Sequence, residues 1–208
     1  MSKKPKIAIF GTGNELVEPG ENLKEGEIYN SNLYVFSDLV GKAGGEVLMQ
    51  DVLKDNKSYL ESFLSEALKS CDVVISSGGV SMGRFDYVRD VFIDLGVEEH
   101  FWKVAQKPGR PLFFGTGNKT LIIGLPGNPV SSYIGFMIWV WPIINEMMGT
   151  DTVKSIEAEL TEPFPVENIK YRYLFGKAWI ENGKVLCKPS RKIGSHMLTS
   201  SLNANCII

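Results

Sequence analysis

Short apolar runs alternate with segments of helical periodicity over the first 150 residues. Apolar runs bounded by turn residues predict strands, and apolar positions spaced three and four residues apart predict helices. Strands are expected at residues 6–10, 47–53, 72–76, 101–105, 111–114 and 120–123, and helices at residues 31–42, 57–69, 85–95 and 128–148. This alternation predicts an α/β fold, a three-layer α/β/α domain whose sheet is mainly parallel.

A different pattern begins after Gly149. Short alternating runs at residues 155–160, 171–180, 184–188 and 203–208 are separated by Gly, Pro and Asn. Such runs are typical of antiparallel strands. We therefore expect an α/β domain over residues 1–150 and a small β domain over residues 151–208. The last run resembles the middle of a strand, so the β domain is expected to be truncated.

The segment of residues 130–148 is almost as apolar and as long as a membrane span. Asn145 and Glu146 lie inside it and Pro142 interrupts it, which favours a buried helix over a span. Large apolar side chains would lie all round this helix, so one face of a sheet cannot cover them. A second copy of the chain is the simplest cover, and we expect a homodimer.

Composition and charge limit the partners, metal sites and cellular locations expected for this protein. The chain has 208 residues, a net charge of −2 and a pI of about 5.8, so neither nucleic acid nor a membrane is expected as a partner. The three cysteines form no CxxC pair, which indicates neither a zinc site nor a disulfide framework. The first apolar run is short and ends in a glycine turn, which indicates a strand rather than a signal peptide. A cytoplasmic location is expected.

The glycine-rich loop of residues 76–83 carries the clearest signal for a ligand. It lies between a predicted strand and a predicted helix, where backbone N–H groups and the helix N-terminus favour an anion. The candidate binding residues are Ser76, Ser77, Gly78, Gly79, Ser81 and Gly83. The loop matches neither the dinucleotide fingerprint nor a Walker loop. A tight turn with no ligand is the alternative.

Two further loops follow predicted strands and are expected along the same edge of the sheet. The loop of residues 11–15 contributes Thr12 and Gly13 as candidates, and the loop of residues 125–129 contributes Pro126, Gly127, Asn128 and Pro129. The two prolines make the second loop rigid because each fixes its φ angle, which suits a site for a small oxyanion. The alternative is a structural turn that opens the next helix.

Charged residues at this edge suggest a metal and an anion. Glu15, Asp55 and Asp86 are candidate Mg²⁺ ligands, because oxygen ligands from separate loops usually hold this ion near phosphate. Alternatively, Asp55 caps a helix and Asp86 interacts with a helix dipole. Lys103 and Lys107, with Arg110 nearby, could neutralise a phosphate or an oxyanion, although solvated lysines are the usual outcome.

Together these motifs resemble the molybdopterin molybdenumtransferases, the MoeA family, which includes the E domain of gephyrin. The matching stretches are residues 12–16, 19–20, 30–32, 76–83, 86–87, 103–111 and 125–129, and residues 194–196 and 203–205 resemble the small C-terminal β-barrel of that family. The order and spacing fit throughout. The resemblance implies a MogA-like α/β domain followed by an incomplete β-barrel.

The same resemblance implies an activity. Members of the family join molybdate to the dithiolene of adenylylated molybdopterin and release AMP, with Mg²⁺. Glu15, Asp55 and Asp86 would be the catalytic or metal positions, and Lys103, Lys107, Pro126 and Pro129 would line the pocket. Arg172 and Ser195 would come from the β domain. Implied partners are a second subunit and a MogA-like protein.

Some positions depart from the family pattern. Asn14 and Asn56 stand where Asp is common, and Arg110 replaces a frequent Lys. Two domains that precede this region in the family are absent from the chain. Two alternatives stay open: a MogA-like molybdopterin adenylyltransferase, which would share the α/β domain, and a non-catalytic domain that binds molybdopterin or serves as a scaffold.

Overall fold

A computed structural model describes residues 3–54, 56–80, 87–151, 155–164, 170–190 and 201–208. Within these ranges no helix combines the length and the apolar character needed to cross a membrane.

The elements follow the predicted alternation. The strands are β1 Lys6–Thr12, β2 Leu16–Val17, β3 Ile28–Tyr29, β4 Glu46–Leu53, β5 Val73–Ser77, β6 Glu98–Trp102, β7 Gln106–Lys107, β8 Phe113–Gly117, β9 Thr120–Leu125, β10 Glu159–Leu160, β11 Tyr171–Arg172, β12 Phe175–Glu181, β13 Lys184–Pro189 and β14 Cys206–Ile207. The helices are α1 Asn32–Ala43, α2 Lys57–Ser70, α3 Tyr87–Asp94, α4 Pro129–Gly135 and α5 Trp141–Met148, with a π-helical turn at Phe136–Val140 between the last two.

The central sheet has six strands in the order β4-β1-β5-β9-β8-β6. Strands β4, β1, β5 and β9 run parallel, whereas β8 and β6 are antiparallel to their neighbours. The prediction of an α/β fold with a mainly parallel sheet is confirmed. Because β1 pairs with β4 on one side and β5 on the other, the strand order reverses at β1, which is where open α/β sheets form a ligand crevice.

Two apolar layers cover the faces of this sheet. Ile7 and Ile9 of β1 pack with Phe36 of α1 and Phe136 of the π-helical turn. The alternate residues Ala8 and Phe10 pack on the opposite face, against the layer that α2 and α3 cover. Successive strand side chains point to opposite faces, so a continuous apolar run is what a sheet between two helical layers requires.

The long apolar helix is interrupted where the sequence places Pro142. This residue has no N–H to donate to the preceding turn, and the wider turn Phe136–Val140 comes directly before α5. Along this helix Ile134, Phe136, Val140 and Ile144 are buried. Trp139 and other apolar neighbours are only half-buried, so the core covers one side of the helix and leaves the other partly open.

The strand expected at residues 101–105 is the least accurate of the predictions. Strand β6 ends at Trp102 instead, because Lys103 has a φ angle of 79°, a left-handed conformation that cannot continue a strand. The expected hairpin of β8 and β9 is present, and its turn consists of Asn118 and Lys119.

The C-terminal part of the chain is rich in β-structure, as predicted. Its sheet has the order β10-β13-β12-β14, with antiparallel pairs around β12 and a parallel pair between β10 and β13. The thiols of Cys187 and Cys206 lie 3.5 Å apart, beside Gly176. Burial, together with the hydrogen bond to Cys187, raises the pKa of Cys206 to about 11.

Candidate ligand-binding site

Three loops meet at the carboxyl edge of the parallel strands. Strands β1, β5 and β9 end at Thr12, Ser77 and Leu125, and parallel strands bring these ends to one edge. The backbone N–H of Gly78 donates to the carbonyl of Leu125 at 2.9 Å. The loops that the sequence singled out are therefore neighbours.

A cavity of about 720 Å³ opens at this edge, a volume within the range of small-molecule sites. Its lining includes Thr12, Glu15, Asn30, Ser31, Asn32, Ser77, Lys107, Arg110, Pro126, Gly127, Asn128, Pro129, Lys170, Arg172 and Phe175. Helix α1 begins at this cavity, so its positive N-terminal end faces any bound ligand. The α/β part and the C-terminal part both contribute to the wall.

Glycine allows the three loops to approach one another. Gly78 and Gly79 have φ angles of 89° and 71°, a conformation that other residues adopt at a cost. A Cβ atom on Gly78 would lie 3.2 Å from the Thr12 carbonyl oxygen, and one on Gly127 would lie 3.7 Å from the Cα of Gly78. The loops pack backbone to backbone, which leaves their polar groups close to the cavity.

Ser76 and Ser77 have different surroundings. Ser77 lines the cavity, and its Oγ accepts a hydrogen bond of 2.8 Å from Nδ2 of Asn32. Ser76 is fully buried, and its Oγ has no hydrogen-bond partner in the described part of the chain. Adjacent residues of a strand point to opposite faces, so only the second serine reaches the cavity.

Basic side chains outnumber acidic ones in the described wall of the cavity. Lys107, Arg110, Lys170 and Arg172 line it, and Glu15 is the one acidic residue in the described lining. Four basic residues and one acidic residue leave a local excess of +3, in a chain whose net charge is −2. This contrast favours an anionic ligand.

Two short strands bring Lys107 and Arg172 together. Strand β11 pairs in parallel with β7, and Arg172 lies opposite Lys107. The guanidinium of Arg172 lies 5.0 Å from the centre of the Phe164 ring. The family resemblance implied that Arg172 would belong to the site, and the pairing of β11 with β7 places Arg172 in the lining of the cavity.

Gln106 and Trp139 support the wall, and neither was predicted. The buried amide of Gln106 donates to the carbonyls of Pro108 and Gly109, both at 3.2 Å, and its Oε1 accepts from Nε1 of Trp139 at 3.0 Å. These bonds hold the loop that carries Arg110. A glutamine gives no sequence signal for this role, because its partner Trp139 comes from a distant part of the chain.

Lys103 lies outside the described lining of the cavity. Its ammonium lies 3.8 Å from the centre of the Trp102 ring, and Nε1 of Trp102 donates to the carbonyl of Val80 at 2.8 Å. Lys103 therefore packs beside a residue that contacts the glycine-rich loop, whereas Lys107 lines the cavity.

Glu18 is a further charged residue near the cavity. Its carboxylate accepts hydrogen bonds from the Tyr34 hydroxyl at 2.5 Å and from Nδ2 of Asn30 at 2.9 Å. These two bonds lower the pKa of Glu18. The ionised carboxylate thus fixes Asn30, which lines the cavity beside Asn32.

The remaining predicted residues divide into two groups. Gly13, Gly78 and Gly79 pack around Thr12 and Glu15 at the edge of the cavity. Asp55, Ser81, Gly83, Asp86 and Ser195 lie outside the described residues. Within the described ranges no three His, Cys, Asp or Glu side chains form a cluster that could hold a metal ion. The Mg²⁺ site therefore stays a prediction.

Comparison with known proteins agrees with this architecture. A family model described as a probable molybdopterin binding domain matches residues 8–146. A model of the MoeA C-terminal region (domain IV) matches residues 157–208. The two models cover the α/β part and the β-rich part in turn.

Individual relatives match along the chain. The molybdopterin molybdenumtransferase of Bacillus subtilis is 35% identical over 99% of this chain and 48% of its own length. That of a Nostoc species is 39% identical over 71% of this chain and 34% of its own. The crystal structure of a molybdopterin biosynthesis MoeA protein from Pyrococcus horikoshii is 31% identical, with a TM-score of 0.79, over 99% of this chain and 49% of that one. The chain thus spans about a third to a half of these relatives, and it belongs to the molybdopterin molybdenumtransferase (MoeA) family.

Proposed function

We propose that this chain acts in molybdenum cofactor biosynthesis, where it joins molybdate to the dithiolene of adenylylated molybdopterin and AMP leaves. One observation carries the proposal: a cationic cavity lies at the carboxyl edge of the sheet of an otherwise acidic chain. Molybdate and the phosphates of the adenylylated substrate are both anions. The relatives named molybdopterin molybdenumtransferase support the same reaction.

Separate groups would bind separate parts of the substrates. Lys107 and Arg172, paired across β7 and β11, would neutralise phosphate or molybdate charge. Ser77 would form hydrogen bonds with the substrate, and the rigid loop of residues 126–129 would form a complementary wall at the edge of the cavity. Charge-assisted hydrogen bonds are the strongest available for such anions.

Mg²⁺ is part of the proposal. Glu15 lines the cavity, and carboxylate oxygens of this kind are ligands that Mg²⁺ prefers. Glu15 would hold the ion together with Asp55 and Asp86. The bound ion would supply positive charge that stabilises the phosphate leaving group, while the residues of the chain orient the substrates.

We also propose a cytoplasmic homodimer that receives its substrate from a MogA-like partner. Half-buried apolar side chains on one side of helices α4 and α5 support the dimer, because a second subunit would remove them from water. The adenylylated substrate must come from a reaction that transfers an adenylyl group to molybdopterin, which supports the partner.

A binding titration tests the proposal. The chain is titrated with adenylylated molybdopterin, with and without Mg²⁺ and molybdate. We expect Lys107→Gln and Arg172→Gln each to weaken binding by about tenfold or more, since hydrogen bonds to charged groups contribute about 1.5–3 kcal/mol. Lys119→Gln is the matched control, because Lys119 lies in the hairpin turn at the opposite edge of the sheet.

The outcomes separate the candidate functions. Wild-type affinity in both cavity variants would contradict the assignment of the cavity. Binding without release of AMP would favour the non-catalytic alternative. Formation of adenylylated molybdopterin from ATP would favour a MogA-like adenylyltransferase, although the match to MoeA domain IV counts against it.

A further inference from the structure

Asn32 joins two loops of the cavity through one amide group. Its Nδ2 lies 2.8 Å from Oγ of Ser77 and 2.8 Å from the carbonyl oxygen of Gly127. The residue begins α1, yet its side chain makes these contacts with the loops after β5 and β9 instead of capping its own helix. Asn32 therefore connects three elements at one point.

The Gly127 carbonyl determines which atom of the Asn32 amide group faces the two loops. A carbonyl oxygen can only accept, so the atom of Asn32 that faces it must be the nitrogen. An amide nitrogen has two hydrogens, and one is directed to each partner. Ser77 Oγ is consequently an acceptor in its bond with Asn32.

The direction of that bond decides what Ser77 can do. A hydroxyl has one hydrogen to donate and two lone pairs. Because one lone pair is engaged by Asn32, the hydrogen remains for another acceptor, and Ser77 Oγ has no second partner within the described ranges. Ser77 is 4% exposed and lines the cavity.

We propose that Asn32 is a positioning residue that makes the Ser77 hydroxyl a hydrogen-bond donor toward a tetrahedral oxyanion in the cavity. The inference rests on the proposed function and adds to it a residue that was not assigned to the site. The oxyanion is a phosphate of the nucleotide part or molybdate, which share the same acceptor chemistry. The first turn of α1 and the cationic wall favour the same charge.

A double-mutant cycle in the whole chain tests this role, with AMP, molybdate and adenylylated molybdopterin as separate ligands. We expect Asn32→Ala and Ser77→Ala each to weaken oxyanion affinity by about tenfold. The double variant should bind about as weakly as the weaker single variant, because Asn32 acts through Ser77. A loss confined to AMP or to molybdate identifies which oxyanion the hydroxyl contacts.

Asn205→Ala is the matched control. Its amide also donates to a backbone carbonyl, that of Ala178 at 2.8 Å, but it directly precedes β14 of the C-terminal sheet. This variant should lose stability in urea without losing affinity. Should Asn32→Ala fail to fold, Asn32→Asp replaces it: a carboxylate can only accept from Ser77, so oxyanion affinity should fall at least tenfold.

Three results would overturn the inference. Additive losses in the cycle, or wild-type affinity in the Asn32 variant, would show that Asn32 does not act through Ser77, while the proposed function would stand. A wild-type chain that binds none of the three ligands would overturn the proposed function and this inference together.

Discussion

At the scale of single residues, Ser76 and Ser77 show how one position along a strand changes the role of a side chain. The Oγ of Ser76 is fully buried and has no partner in the described part of the protein. A buried polar group without a hydrogen bond costs about 1–3 kcal/mol. Ser77, one residue later, is at the cavity and accepts a bond from Asn32.

Replacement of Ser76 by alanine should therefore not harm the protein. We expect Ser76→Ala to leave the free energy of unfolding unchanged or to raise it by about 1 kcal/mol, because the variant removes an unsatisfied hydroxyl. Urea denaturation and a ligand titration would measure both effects. A tenfold loss of affinity in Ser76→Ala would show that this hydroxyl contacts the ligand after all.

Sequence motifs identified much of the cavity but not its supports. Thr12, Ser77 and the loop of residues 126–129 lie at the ends of strands. This was enough to predict that they share one edge of the sheet. Asn32 contacts Ser77, and Gln106 contacts Trp139. Both partners are distant in the sequence, so no local pattern could assign these two residues. The family resemblance implied that Lys103 would line the pocket, but Lys103 is not part of the described lining, and its ammonium lies beside the Trp102 ring.

At the scale of elements, the start of α2 bears on two alternative roles of Asp55, helix cap and metal ligand, between which the sequence did not decide. Asn56 is the N-cap of this helix, and its Oδ1 accepts from the backbone N–H groups of Ser58 and Tyr59. The cap is thus assigned to Asn56. The preceding residue, Asp55, lies outside the described residues, and its role as a metal ligand stays a prediction.

Two variants distinguish the helix-capping role of Asn56 from the proposed metal-binding role of Asp55. Asn56→Ala should lower the free energy of unfolding by about 1 kcal/mol, the usual cost of a lost N-cap, with no change in the Mg²⁺ dependence of binding. Asp55→Asn should weaken Mg²⁺-dependent binding with little effect on stability. Thermal denaturation and titration with Mg²⁺ give the two measurements, and the reverse pattern would exchange the two roles.

The alternation of strands and helices was predictable because burial on both faces imposes long apolar runs on β1, β5 and β9. The pairings between strands that are distant in the sequence were not predictable in this way. The β-rich part was expected to be antiparallel, yet β10 pairs in parallel with β13. The π-helical turn Phe136–Val140 was not predicted either, because a proline indicates an interruption of a helix but not the kind of turn that precedes it.

At the scale of the whole molecule, helices α4 and α5 carry the half-buried apolar side chains that the proposed homodimer would cover. Ile144 is buried, but Met147 of the same helix is 38% exposed. We expect light scattering at increasing concentration to approach twice the chain mass of 23.1 kDa, and Met147→Glu to shift this transition to higher concentration. A single mass of one chain at all concentrations would contradict the homodimer.

The pairing of β7 with β11 has a consequence for how long a ligand stays bound. This ladder holds Arg172 against the α/β part through two backbone bonds of 2.9 Å, from Tyr171 to the Ala105 carbonyl and from Tyr173 to the Lys107 carbonyl. Tyr171 is 78% exposed, and so short a ladder can open locally while both larger sheets remain folded. An anion that bridges Lys107 and Arg172 would oppose the separation of β7 from β11. The bound ligand would therefore slow the opening through which it leaves. Its residence time would exceed the time that Lys107 or Arg172 alone could provide.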